Sequence, residues 1–295
     1  MSAWEIRRAL RRTLVHPIEA LGFGAVMLLL RALPLDGASG LCGAVARTLG
    51  PLLPVSRTAR ANLKRALPGL DDAAITRVVR GVWDNLGRVI GEYPHLHRLA
   101  ATRVEVVGAE HLAPLRDGGA QGIFFSGHLG NWELLTATAA TLGVRLTGVY
   151  RAPNNRHVDR LLNRLRGNAA ELIPKGPTGA RQALAALGRG AHLAFLVDQK
   201  MNDGIAVRFF GRDAMTAPAL AQLALRHEST VLPARVERIG GARFRLTIEP
   251  PLALPQTGDR PVDTRALMET VNRHLERWIA DKPDQWLWLH RRWPD

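Results

Sequence analysis

The chain has 295 residues, enough for one large domain or two modest ones with a core that needs no covalent staples. Its single cysteine, Cys42, excludes an intrachain disulfide, and no CxxC pair or Cys/His cluster points to structural zinc. The 40 Lys+Arg against 26 Asp+Glu leave a formal charge of +14, mostly from arginine, which suits nucleic acid, an anionic membrane or a phosphorylated or acidic substrate; aromatics at 5% make base-stacking platforms scarce.

Arg7, Arg8, Arg11 and Arg12 precede the apolar stretch "LVHPIEALGFGAVMLLLRALPL", residues 14–35. Its uncharged part, Ala20 to Leu30, falls short of the ~20 apolar residues of a full crossing. The longer count includes His16, Glu19 and Arg31, and Arg31 can snorkel. A basic leader before an apolar helix predicts membrane attachment with the main domain on the cytoplasmic side. A buried helix of a soluble domain and a signal peptide ending near "DGASG" are the alternatives. Helices follow at 38–50, at 56–67 with Ser56 as N-cap, and at 70–93 with Asp71 or Asp72 capping and Pro94 just beyond. Residues 1–100 therefore read as a basic helical segment holding the anchor.

From 101 to 295 strand and helix signals alternate. Strands are expected at 103–108, 122–127, 144–150, 171–175, 191–199, 230–239 and 243–250. Helices are expected at 131–143, 156–169, 178–190, 217–228 and 262–281, before a Trp-rich tail. This order implies an α/β fold, a central sheet with helices on both faces, whose sites collect where strands end in loops.

One such end is "GIFFSGHLGNWELL", residues 122–135. A buried strand stops at Ser126-Gly127, His128 follows, and Glu133 comes five residues later. Histidine changes charge near neutral pH, and a carboxylate on one ring nitrogen fixes its tautomer so that the other can take a proton from a hydroxyl. Five residues do not align two side chains on a straight helix. They do so if His128 lies in the turn and Glu133 in the first helical turn, with Gly127 and Gly130 letting the chain fold tightly. No G-x-S-x-G elbow appears, and Ser126 is badly placed for a triad, so the nucleophile is expected on the substrate. A capped helix with a buried, backbone-bonded histidine is the bland alternative.

"HLGNWE" resembles the H-x4-D/E motif of the lysophospholipid acyltransferase superfamily. More narrowly, four stretches in order resemble the lauroyl/myristoyl acyltransferases of lipid A biosynthesis: "SGHLGNWE", "VYRAPNNRHVDRLLNRLRG", "LVDQK" with "FFGRDAMTAPALAQLA", and "QWLWLHRRW". The similarity covers nearly the whole chain. It implies a mixed α/β sheet of the glycerol-phosphate acyltransferase type behind an amino-terminal anchor, at the cytoplasmic face of the inner membrane. It also implies acyl transfer from acyl-carrier protein to a hydroxyl of a phosphorylated lipid A precursor, without metal or redox cofactor. His128 matches the general base and Glu133 its carboxylate partner. Arg166 matches the essential arginine, with Arg164 a rival one turn-shift away. Asp198 matches the acidic residue after the fourth main strand. The chain departs at "YRAPNN", where the family commonly has Y-R-P-x-x-N-P. Asn155 stands where the family's asparagine does, but Arg156 replaces the following proline.

Several further positions suit that reaction. Arg151, Arg164 and Arg166 are candidate phosphate clamps, with Asn155 and Asp198 also expected at the substrate. Backbone N–H groups near Gly127 and Gly130 are candidates for an oxyanion hole. Phe209, Phe210 and Met215 are candidates to line an acyl channel, unless they are plain core. Trp286, Trp288 and Trp293 either form an interfacial belt or pack inside. Another amphiphile as acceptor, with coenzyme A as donor, is the alternative reaction. A nucleic-acid-binding protein would leave the apolar segment and the "HLGNWE" turn unexplained, and a scaffold would have no use for His128 and Glu133.

Overall fold

The structure is a computed structural model that describes residues 11–167 and 170–293; Arg7 and Arg8 of the basic leader, and residues 168–169 at the end of one expected helix, lie outside the described residues. Four helices come first: α1 (His16–Ala32), α2 (Leu35–Leu49), α3 (Ser56–Ala66) and α4 (Asp72–Glu92). Asp71 caps α4, its Oδ1 accepting from the Ala74 N–H at 2.6 Å. Ser56 is not the cap of α3: it lies inside the first turn, its hydroxyl donating to Gly50 O and accepting from the Trp83 indole. α5 (Leu96–Thr102) leads into the sheet.

The seven-stranded sheet comprises β1 (Val104–Val107), β2 (Gly122–Ser126), β3 (Leu146–Tyr150), β4 (Ala170–Pro174), β5 (His192–Leu196), β8 (Thr230–Gly240) and β9 (Arg243–Ile248). Their spatial order is β1-β9-β8-β2-β5-β3-β4, and every neighbouring pair is parallel except β8 and β9. The intervening helices are α6 (Leu134–Thr141), α7 (Arg156–Arg166), α8 (Pro177–Gly188), α9 (Ala219–His227) and α10 (Arg260–Asp281). Successive residues of a strand face opposite ways, which is how β2 serves two cores. Ile123 and Phe125 pack with α3, α4 and α10, and Phe124 packs with α5 and α6. The expected sheet with helices on both faces is present. The helices α3 and α4 share the first of those cores.

Residues 205–216, where no strand is expected from the sequence, form an antiparallel ribbon of β6 (Ile205–Phe209) and β7 (Arg212–Thr216). Its two-residue turn, Phe210 at φ 50° and Gly211 at φ 70°, is left-handed at both positions, as a tight hairpin requires. "FG" is an uncommon substitute for the Asn-Gly that usually marks such a turn, so the hairpin was hard to see in the sequence.

Thr13–Ala32 is the one stretch among the described residues long and apolar enough to cross a membrane. Its 20 residues would span roughly 30 Å as a helix. Ile18, Leu21, Leu28 and Leu29 of α1 are exposed, and Leu41, Val45 and Leu49 continue the apolar surface along one stripe of α2. The inner side of α1 is tied down: Met27 and Leu30 are buried, and the His95 ring approaches Leu30 O at 3.1 Å.

Candidate active site

β2 and β5 are parallel neighbours with Ser126 opposite Leu196. His128 and Asp198 each follow two residues beyond that pair, so they leave the carboxyl edge of the sheet side by side. His128 Nδ1 lies 2.8 Å from Asp198 Oδ1, and the His128 backbone N–H donates to Oδ2 at 2.8 Å. The Trp286 indole donates to the same Oδ2 at 2.7 Å. Asp198 is fully buried. Burial pushes its carboxyl up, but the charge and hydrogen bonds of His128, helped by His290, outweigh this and hold it well below the ordinary carboxylate range. An ionised carboxylate only accepts, so Nδ1 carries the proton, while the Gln199 side-chain amide approaches Nε2 at 3.5 Å. Trp132 stands edge-on to the ring, 5.1 Å between centroids.

Glu133 faces a different partner from the one its spacing suggested. Arg166 grips it as a two-pronged fork, Nε to Oε2 and Nη2 to Oε1, each at 2.8 Å. The Tyr93 hydroxyl also donates to Oε1, and Arg166 Nη2 reaches Tyr93 Oη at 2.8 Å. Burial raises the Glu133 carboxyl, but Arg166, Tyr93 and nearby His128 together hold it below its usual value. Glu133 thus stands within electrostatic reach of the imidazole, while the Nδ1 hydrogen bond goes to Asp198. Positions two apart on a helix point opposite ways, which places Arg166 at the site and leaves Arg164 exposed.

The turn between them is pinned from two sides. Gly130 has φ 53°, and a Cβ there would meet Val236 O at 2.4 Å. Its N–H donates to Gln285 O at 3.1 Å, so this amide is committed to the carboxy-terminal tail and not free as an oxyanion donor. A Cβ at Gly127 would come 3.1 Å from Leu275 Cδ2 and 3.3 Å from Asp198 Oδ2, tighter than ordinary van der Waals contact. Leu287 N–H donates to His128 O, and Leu129 bridges Trp286. Gly130→Ala is expected to destabilise the fold by more than about 1 kcal/mol, because the backbone is left-handed and the space is taken. Urea unfolding measures it, and an unchanged midpoint contradicts the steric account.

Behind the turn lies a buried polar network. Glu92, fully buried, is held by the Arg238 guanidinium and accepts from Ser39 Oγ at 2.7 Å and Asn131 Nδ2 at 2.9 Å. Asn131 Oδ1 accepts from the Glu133 N–H at 3.3 Å. Tyr93, Glu92 and Arg238 were not found from the sequence, and Trp286 was singled out there only for packing or a belt, not as a partner of Asp198. One signal was present: Glu92 falls at helical spacing from Val82, Asn85 and Val89 on the buried face of α4, where a lone carboxylate needs a partner.

The remaining expected residues scatter. Asn155 caps α7, its Oδ1 accepting from His157 N–H at 2.9 Å, and its Nδ2 donates to His16 O and Glu19 on α1. Its side chain is thus spent on tying α1 to α7 instead of reaching a substrate. Phe209 is fully buried, stacked on Trp293 and edge-on to Trp286, with the Arg292 guanidinium 4.7 Å above its ring. Phe210 packs beside it, and the Met215 carbonyl accepts from Arg292. Phe209 and Phe210 thus belong to the core that seats the tail, which Met215 meets through its backbone carbonyl. Trp286, Trp288 and Trp293 are buried there as well, so they pack inside instead of forming a belt. Apolar space beside the base exists elsewhere: a cavity of about 80 Å³ between α6 and β3, β4 and β5, lined by Trp132, Glu133, Leu135, Gly148, Leu172 and Phe195 among others. A larger open groove, about 760 Å³, lies by the amino-terminal end of α10, whereas the base abuts the segment after that helix's other end.

The arrangement can hold a neutral imidazole whose Nε2, with the Gln199 amide 3.5 Å away, is the nitrogen able to take a proton from a hydroxyl, near an apolar slot and a fixed cation. The family model described as "Bacterial lipid A biosynthesis acyltransferase" matches residues 8–295. No curated protein matches the chain in sequence. Among solved structures, the crystal structure of the 1-acyl-sn-glycerophosphate (LPA) acyltransferase, PlsC, from Thermotoga maritima is similar at 13% identity and a TM-score of 0.38, over 76% of this chain and 95% of that one.

Proposed function

The chain belongs to the bacterial lipid A biosynthesis acyltransferase family, and from that premise we propose that it moves a fatty acyl chain from acyl-carrier protein to a hydroxyl of a phosphorylated lipid A precursor, with His128 as general base. The observation that carries this reading is the His128–Asp198 contact at the sheet edge, with Nε2 left to accept a proton. The acceptor hydroxyl gives its proton to Nε2 as its oxygen attacks the thioester carbonyl. The imidazolium so formed is stabilised by Asp198 and by the nearby Glu133 carboxylate. The tetrahedral intermediate collapses, the C–S bond breaks, and the proton passes from His128 to the leaving thiolate. The Arg166–Glu133–Tyr93 cluster supports the wall of the cavity where the chain would lie. Acyl-carrier protein is acidic, which suits the basic surface.

Localisation at the cytoplasmic face of the inner membrane follows from the same reading. The exposed apolar faces of α1 and α2 support it, since such contiguous surface is costly in water. The test is acyl transfer in detergent micelles, from acyl-carrier protein loaded with chains of several lengths to a phosphorylated lipid A precursor. Transfer that vanishes in His128→Ala supports the reading. Wild-type transfer only to a different lipid, or only from acyl coenzyme A, would reassign the substrates.

A further inference from the structure

The carboxyl edge of the sheet carries more than the base. β3 and β4 are parallel neighbours in register up to Tyr150 opposite Pro174, and the Lys175 N–H extends the ladder to Tyr150 O at 2.7 Å. The next residue on each strand is a cation, Arg151 after β3 and Lys175 after β4. Adjacent strands run about 4.8 Å apart, and residues paired in register send their side chains to the same face. β5 is the other neighbour of β3, with Val149 opposite Phe195, and Asp198 follows two residues beyond its last residue, Leu196. Across the edge the order is therefore Lys175, Arg151, Asp198, His128.

Both cations are exposed. Neither makes an ion pair among the described residues, although Asp36, Asp84, Asp117 and Glu249 elsewhere each hold an arginine. Asp198, the carboxylate whose charge reaches Lys175, already accepts from His128 and Trp286. Lys175 is pulled below its ordinary pKa first by partial loss of water and also by the like charge of Arg151, against the opposing pull of Asp198. Two like charges on adjacent strand ends of the edge that carries the base, with no ion-pair partner among the described residues, are a cost that a bound anion would relieve.

We propose that Arg151 and Lys175 form the anion subsite of the reaction centre, receiving a phosphate group that aligns a substrate against His128. This rests on the acyl-transfer reading and adds Lys175 to it. The phosphate is either that of the acceptor glycolipid or the phosphodiester of the donor's pantetheine arm, and the test separates the two.

The experiment uses the full chain in a neutral detergent and the variants Arg151→Gln and Lys175→Gln. Steady-state kinetics would compare a phosphorylated with a dephosphorylated acceptor, and acyl-carrier protein with a phosphate-free acyl thioester as donor. Each variant should raise KM about tenfold for the phosphate-bearing partner and leave its phosphate-free counterpart nearly unchanged. A shift confined to the acceptor pair assigns the acceptor phosphate, and a shift confined to the donor pair assigns the pantetheine phosphodiester. Equal losses with and without phosphate, or no change in any arm, overturn the subsite. Binding of dodecyl phosphate, measured calorimetrically against an uncharged dodecyl glycoside, provides a readout that needs no turnover. If wild type transfers nothing yet binds dodecyl phosphate about tenfold more tightly than Lys175→Gln, the subsite stands and the reaction reading fails. If dodecyl phosphate binding is the same in wild type and both variants, the subsite fails whatever the activity.

Discussion

Asp198→Asn is expected to lower kcat by about a thousand- to ten-thousand-fold while the protein still folds. The amide keeps the shape but can donate to Nδ1, which favours the tautomer with its proton on Nε2, and then no lone pair faces the hydroxyl. His128→Ala should lose at least as much. The decisive comparison is with Glu133→Gln. If His128 depends on Asp198, the glutamine variant retains far more activity than Asp198→Asn. Steady-state acyl transfer over pH, with near-ultraviolet circular dichroism as a check on folding, measures this. Near wild-type turnover in Asp198→Asn would return Glu133 to the role of ring partner.

The second large effect is on stability. Glu133→Ala leaves the Arg166 guanidinium and the Tyr93 hydroxyl without their acceptor in a mostly buried setting. Breaking one side of such a pair typically costs about 3–5 kcal/mol. Urea unfolding should therefore show a large midpoint shift, and Glu133→Gln a smaller one because the amide oxygen still accepts. The pH dependence has a definite sign. Glu133 and Asp198 are both held below their ordinary values. Their contribution is fully present above the unfolded carboxylate values near ~4, and is lost as pH falls through the lower folded values. Stability should thus rise with pH through the acid range, with a shallower slope in Glu133→Gln. An identical slope in the two proteins would rule out a coupled Glu133.

Much of the fold was legible because its signals are local. The apolar run in "GIFFS", caps such as Asp71, and the apolar face of α4 each depend on a few neighbouring residues. The ribbon of β6 and β7 escaped because its turn lacks the usual Asn-Gly. Ser56 was misjudged as a cap because the chain before it, Pro54-Val55, already turns helical. Of the candidate site, His128, Glu133, Arg166 and Asp198 were all singled out from the sequence, but their pairing was not. Phe209 and Phe210 were apolar at plausible spacing, yet spacing does not tell a channel wall from a core that three tryptophans fill.

The sequence by itself determined the alternation of strands and helices, the histidine at a strand end, the apolar amino-terminal helix and the surplus of arginine. These follow from periodicity, turn chemistry and composition, all short-range properties. Only the tertiary structure decided which carboxylate meets which base. Strand order sets β5 beside β2 and β3 beside β4, so Asp198 arrives at His128 across 70 residues, and Lys175 arrives beside Arg151. Glu133, five residues from the histidine, is captured instead by a guanidinium from α7, whose planar fork fits a carboxylate better than one imidazole nitrogen does.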